Sequence, residues 1–80
     1  MSQPILVDAR GHRCPVPSLR LRKAMEGLAP GVRLTLLATD PMARIDVPYL
    51  LCDLGGTVCG IEEQGGVLHI TVETGGVLTD

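Results

Sequence analysis

Cys14 lies in the run Gly11-His12-Arg13-Cys14-Pro15-Val16-Pro17-Ser18, between a glycine turn and an amphipathic pattern that reads as a helix. A thiol at a helix start meets free backbone N–H groups and the positive end of the helix dipole, and both favour the thiolate. Nearby cations add to that effect. The chemistry this spacing points to is that of an activated, nucleophilic sulfur rather than a structural one.

With Cys14 as N-cap and Pro15 as N1, the residue at N3 is Pro17, which has no N–H to give. Only the Val16 amide then remains as an in-register donor to the sulfur, which stays otherwise accessible. Arg10, His12 and Arg13 are the local cations or near-cations expected to support the anion. The plainer role for a free cysteine is that of a small buried hydrophobe. Flanking prolines and arginines make a poor core environment for it.

The helix that carries this site is expected from Pro15 to about Leu28. Leu21, Ala24, Met25 and Leu28 follow the i, i+3, i+4, i+7 rule, Pro17 falls on the same stripe, and Ala29-Pro30-Gly31 ends the run. At about 100° per residue, Leu19 lies nearly opposite Leu21, with Val16 and Lys23 beside it. Val16 and Leu19 are therefore expected to face solvent close to the thiol, with Arg20 and Lys23 as a basic rim. Single exposed apolar residues are ordinary. An apolar pair inside a basic rim beside a reactive group is also what a partner-docking patch looks like.

The other elements are short. Ile5-Leu6-Val7 reads as a strand closed by Asp8 and the Gly11 turn, and Arg33 to Thr39 as a second strand. Asp40-Pro41 and Asp46-x-Pro48 are both candidate helix starts, each aspartate reading first as a cap. The reading adopted is a turn from Pro41 to Ile45 and a helix from about Val47 to Leu54, because Pro48 is awkward inside one longer helix. Val47, Leu50, Leu51 and Leu54 form its buried stripe and Gly55-Gly56 its stop. Thr57 to Glu63 and Val67 to Glu73 are strands joined through Gln64-Gly65-Gly66, a tight hairpin. In the last strand Leu68, Ile70 and Val72 alternate with His69, Thr71 and Glu73, so one sheet face is dry and both helices must cover it.

Eighty residues with 45% hydrophobic content give one domain, 1–80, with its core over about 5–73 and a mobile tail over 75–80. The single aromatic, Tyr49, rules out base stacking on an aromatic platform. The net charge of −2 also argues against general nucleic-acid binding. That charge is unevenly spread: residues 1–23 sum to +4 and residues 24–80 to −6, so the positive part surrounds Cys14. A solvated helix face accounts for the split as simply as a docking surface does. Three cysteines, an odd number, with no secretory signal and no membrane-length apolar run, fit a reducing cytoplasm. Cys52 and Cys59 form no C-x-x-C pair and read as structural. His12, Cys14, Cys52, Cys59 and His69 lack zinc-ligand spacing, so no metal or cofactor is expected. His69 reads as a polar-face strand residue.

Three groups of residues together resemble the TusA/SirA-like sulfur-carrier family. They are Asp8-x-x-Gly11-x-x-Cys14-Pro15-x-Pro17, Asp40-Pro41 after the second strand, and Asp46-x-Pro48. The resemblance runs through residues 5–73. It implies an α+β, two-layer sandwich in the order β-α-β-α-β-β, with a four-stranded mixed sheet and both helices on one face. It also implies that Cys14 accepts sulfane sulfur as a persulfide from a cysteine desulfurase or rhodanese-like donor and relays it to an acceptor protein. Routes served by such proteins include tRNA thiolation, cofactor maturation and sulfur metabolism. Many tRNA-thiolation members carry an acidic residue between the two prolines and basic residues after the last strand, where this chain has Val16 and Glu73-Thr74. The expected carrier acts in the cytoplasm as a free monomer, touching neither nucleic acid nor membrane. Two other classes remain open on the residues alone. One is a non-enzymatic regulatory module working through the first helix, and the other is a thiol redox switch involving Cys52 or Cys59.

Overall fold

The structure, a computed structural model, describes residues 3–75. The elements follow as β1 (Ile5–Ala9), α1 (Val16–Met25), β2 (Arg33–Ala38), α2 (Ala43–Leu54), β3 (Thr57–Gln64) and β4 (Val67–Glu73). They form the expected α+β sandwich. The sheet order is β1-β2-β4-β3, with β1 parallel to β2 and the other two pairs antiparallel. A parallel pair needs a crossover, and α1 supplies it, packing on the sheet between its two strands.

The core is wholly aliphatic. Val7 and Ala9 of β1, Leu34, Leu36 and Ala38 of β2, and Leu68, Ile70 and Val72 of β4 present one face to Leu21 and Met25 of α1 and to Ala43, Val47 and Leu51 of α2. Both helices thus lie on the same side, as the alternation in β4 demands. Pro17 is among the fully buried side chains, so α1 is seated on the sheet from its first turn. The hairpin also forms as expected. Gln64 pairs with Val67, leaving Gly65 and Gly66 as a two-residue loop with φ of 57° and 81°, values open to glycine and strained for most other residues. On the opposite face the Thr35 and Thr71 hydroxyls meet at 3.2 Å, and His69 is half-exposed in the middle of β4. Leu37, placed by alternation on that wetter face, is nevertheless buried.

The end of the first helix and the start of the second differ from the sequence reading. The first helix ends at Met25 rather than near Leu28, because Gly27, at φ 78°, turns the chain out before the Pro30 stop is reached. The second helix is a single element from Ala43 to Leu54 with Pro48 inside it. Amides of Ala43, Arg44 and Ile45 donate to the carbonyls of Asp40, Pro41 and Met42, so the expected separate turn is already the winding of that helix. Pro48 is tolerated because both it and Arg44, whose carbonyl loses an intrahelical partner there, sit on the exposed side. It follows that Asp46 is not an N-cap but a residue of the first helical turn. The tail expected over 75–80 lies, apart from Gly75, outside the described residues.

Candidate functional site around Cys14

The loops leaving β1 and β2 meet at the carboxyl ends of the two parallel strands, and Cys14 lies where they meet α2. The Gly11 amide donates to Thr39 Oγ1 at 2.9 Å, tying the first loop to the end of β2. The Cys14 amide donates to Asp40 Oδ2 at 2.7 Å, and the other oxygen of that carboxylate accepts from the Met42 amide at 3.0 Å. Asp40, which reads from sequence as a cap, does accept an amide at the entry to α2, although the N-cap itself is Met42, and it also clamps the cysteine backbone of the neighbouring loop. These two amides hold its carboxyl below the ordinary range, and nearby Arg13 adds to the effect.

The helix start differs by one residue from expectation. Pro15 is the N-cap and Val16 the first helical residue, and the Cys14–Pro15 peptide is cis. The Val16 amide, expected to serve the sulfur, donates instead to the Arg13 carbonyl at 2.9 Å. Cys14 Sγ donates to Asp46 Oδ2 at 2.6 Å. That contact reverses the expected electrostatics. The Asp46 carboxylate accepts the thiol proton, and the loss of some hydration beside neighbouring atoms and the negative charges of Asp46 and Asp40 act in the same direction. Together they push the thiol above its ordinary value. The dipole argument loses because one carboxylate at hydrogen-bond distance outweighs diffuse partial charges about a turn away.

The cations expected to balance this are dispersed. Arg10 makes a two-pronged pair with Asp8, through Nε at 2.9 Å and Nη2 at 2.7 Å, and holds that carboxyl down at about 2. Arg10 is therefore spent on its neighbour rather than on the thiol. Arg13 lies toward Asp40, and His12 lines a shallow open depression with Gly11, Arg13, Thr39, Asp40 and Pro41. Cys14 itself is exposed. A more apolar depression, lined by Met25, Leu28, Leu54 and Thr74 among others, involves none of these residues.

On α1, Leu19 is 55% exposed, as the helical wheel requires, whereas Val16 is half-buried rather than fully facing solvent. Arg20 reaches back to the Asp8 carbonyl at 3.3 Å. Arg22 and Lys23 are exposed and, among the described residues, belong to none of the ion pairs. No sequence signal marks α2 as contributing to the same surface. Met42, Ile45 and Tyr49 are all exposed there, on the flank of α2 next to Asp46, and Tyr49 is the most open of the large apolar side chains at 75%. Cys52 and Cys59 are both exposed, so neither is a packed core cysteine. Cys59 sits at the register shift between Val58 and Gly60 in β3, remote from the thiol site in the sheet order.

Known proteins resemble this chain along most of its length. Residues 5–74 match the family model described as Sulfurtransferase TusA. A sulfur carrier protein TusA from Pseudomonas paraeruginosa is 37% identical over 68 residues, spanning 82% of this chain and 86% of that protein. One from Allochromatium vinosum is 31% identical over 67 residues, covering 84% and 88%. Among solved structures, a SirA-like protein from Desulfitobacterium hafniense superposes with a TM-score of 0.78 at 29% identity, covering 89% of this chain and 97% of that one.

Proposed function

Because this chain belongs to the TusA family of sulfur carriers, we propose that it accepts sulfane sulfur as a persulfide on Cys14 and relays it to another protein. The observation that carries the reading is an exposed thiol, pinned by its backbone to Asp40 and by its proton to Asp46. Thiol exchange needs a sulfur that an attacking group can reach along the S–S axis, and nothing among the described residues roofs Cys14. The single transferred atom needs no cavity.

In this reading Cys14 is the group that carries the sulfur. Pro15 and Pro17 shape the helix start, Pro17 through its burial against the sheet. Val16, Leu19, Arg20 and Lys23 form the docking patch, with Met42, Ile45 and Tyr49 extending it on the other side of the thiol. His12 and Arg13 line the approach. Arg10 supports the loop through Asp8 rather than the sulfur directly. The partners are a donor of the desulfurase or rhodanese-like class and an acceptor protein, in the cytoplasm. The routes compatible with that chemistry are tRNA thiolation, cofactor maturation and sulfur metabolism. Val16 between the prolines and Glu73 at the end of β4 weigh against the tRNA route.

The test is transfer of radiolabelled sulfur from cysteine through a desulfurase to the full chain, followed by intact-mass measurement. The expected result is a one-sulfur increment on Cys14 that is released by reducing agent and absent in Cys14→Ser. Label that persists in Cys14→Ser overturns the assignment.

A further inference from the structure

The thiol of Cys14 is a donor only while it carries a proton. In the empty protein that proton lies between Sγ and Asp46 Oδ2, 2.6 Å apart, with Asp46 half-buried in the first turn of α2. Loading replaces the proton on Sγ by a second sulfur. The inner sulfur then has nothing to donate, and the terminal sulfur titrates more readily than a thiol and carries the negative charge. The charged groups facing it are Asp46 from α2 and Asp40 from the loop after β2, both negative, while Arg13 of its own loop lies toward Asp40. A contact that stabilises the empty form therefore becomes a repulsion in the loaded one.

We propose that Asp46 sets the direction of sulfur flow, stabilising the discharged Cys14 thiol against its persulfide so that the carrier gives up its sulfur readily. The inference rests on the carrier reading above. In the discharge step an acceptor thiolate attacks the terminal sulfur of Cys14–S–S⁻. A new S–S bond forms on the acceptor, and the bond from that sulfur to Cys14 Sγ breaks. The electron pair stays on Sγ, which takes up the proton released by the acceptor thiol and hands it into the hydrogen bond with Asp46. One thiol and one persulfide anion stand on each side, with no net oxidation. Asp46 touches the reacting atom but receives no sulfur itself. Its effect lies in the difference between two states of Cys14.

The experiment is an equilibrium partition. The full chain with Cys52→Ala and Cys59→Ala is loaded with glutathione persulfide and equilibrated against glutathione at neutral pH. The loaded fraction is read by intact mass for Asp46, Asp46→Asn and Asp46→Ser, with circular dichroism confirming the fold of each. The expected result is that both neutral variants retain sulfur about three- to tenfold more strongly than the parent. That range suits a charge-assisted hydrogen bond discounted for its exposure. The neutral variants are also alkylated faster at neutral pH, a change that a merely structural role does not produce. A partition unchanged in whichever neutral variants fold, or shifted toward discharge, overturns the inference alone. A parent chain that takes up no sulfur overturns the carrier reading and the inference with it.

Discussion

Asp40 holds Cys14 by its backbone. One carboxylate oxygen accepts the Cys14 amide at 2.7 Å while the other accepts the Met42 amide at 3.0 Å, so a single side chain sets the loop after β1 against the start of α2. The thiol's position is therefore a property of two loops joined by one residue, and Asp46, a turn further along α2, is brought into range by the same clamp.

Asp40→Asn places an N–H against one of those amides and breaks that bond. The expected outcome is faster hydrogen exchange at the Cys14 amide and a melting temperature lower by several degrees, with the sheet amides of β2 and β4 largely unaffected. The pH dependence has a defined sign. The folded carboxyl is held below its ordinary value, so its contribution is complete above that value and is lost as the pH falls through the lowered one. Amide exchange at Cys14 on acidification checks this.

Reactivity at Cys14 should run against the usual image of an activated cysteine. Its thiol is pushed up by the Asp46 hydrogen bond, some loss of hydration and the Asp46 and Asp40 charges, so the thiolate appears only above the ordinary thiol range. In a chain lacking the other two cysteines, iodoacetamide alkylation near pH 7 is expected to be several-fold slower than for free glutathione, and to go on rising at alkaline pH. Alkylation that saturates below pH 7 contradicts the Asp46 contact.

Local signals carried most of the fold. The Gly65-Gly66 loop, the alternation of Leu68, Ile70 and Val72, and the Gly55 stop each act within a few residues, so their sequence is their geometry. The site was half legible. Cys14, its prolines and exposed Leu19 were visible in the first helix alone. Asp46 reads wrongly as a cap from sequence because capping logic looks one turn ahead, whereas its partner lies 32 positions away. Pro48 reinforced the error, since its cost inside a helix is set by which side faces water, and that is decided by packing. The apolar flank of Met42, Ile45 and Tyr49 was hidden for the same reason.

Two leucines two residues apart on α1 should separate folding from docking. Leu21 is fully buried and Leu19 is 55% exposed. Leu21→Ala is expected to cost about 2–5 kcal/mol, a large share of the stability of so small a domain, measured by urea unfolding. Leu19→Asp is expected to change stability by no more than about 0.5 kcal/mol. The same substitution should raise the donor concentration needed for half-maximal sulfur uptake by at least about tenfold, as for loss of a central contact.

Gly56 offers a test of the second helix's exit. A Cβ there would run into Leu51 Cδ1 and lie 2.8 Å from the Glu73 carbonyl oxygen, which belongs to β4 and has little room to yield. Gly56→Ala is expected to destabilise by about 1–3 kcal/mol in chemical denaturation, as overpacking does. The Cys14 site, at the opposite end of the sheet, should stay intact, with the alkylation profile of Cys14 unchanged in the folded fraction.

The openness of Cys14 carries an implication for traffic between proteins. In the relay proposed above, a cargo of one atom, held on an uncovered surface, leaves the empty and the laden molecule almost the same shape. Donor and acceptor therefore meet nearly identical surfaces, and size or contour gives them little means of telling one from the other. What distinguishes them is one added sulfur and the negative charge it brings beside Asp46. Sorting full from empty thus becomes a matter of local electrostatics, read at a single point between two helices.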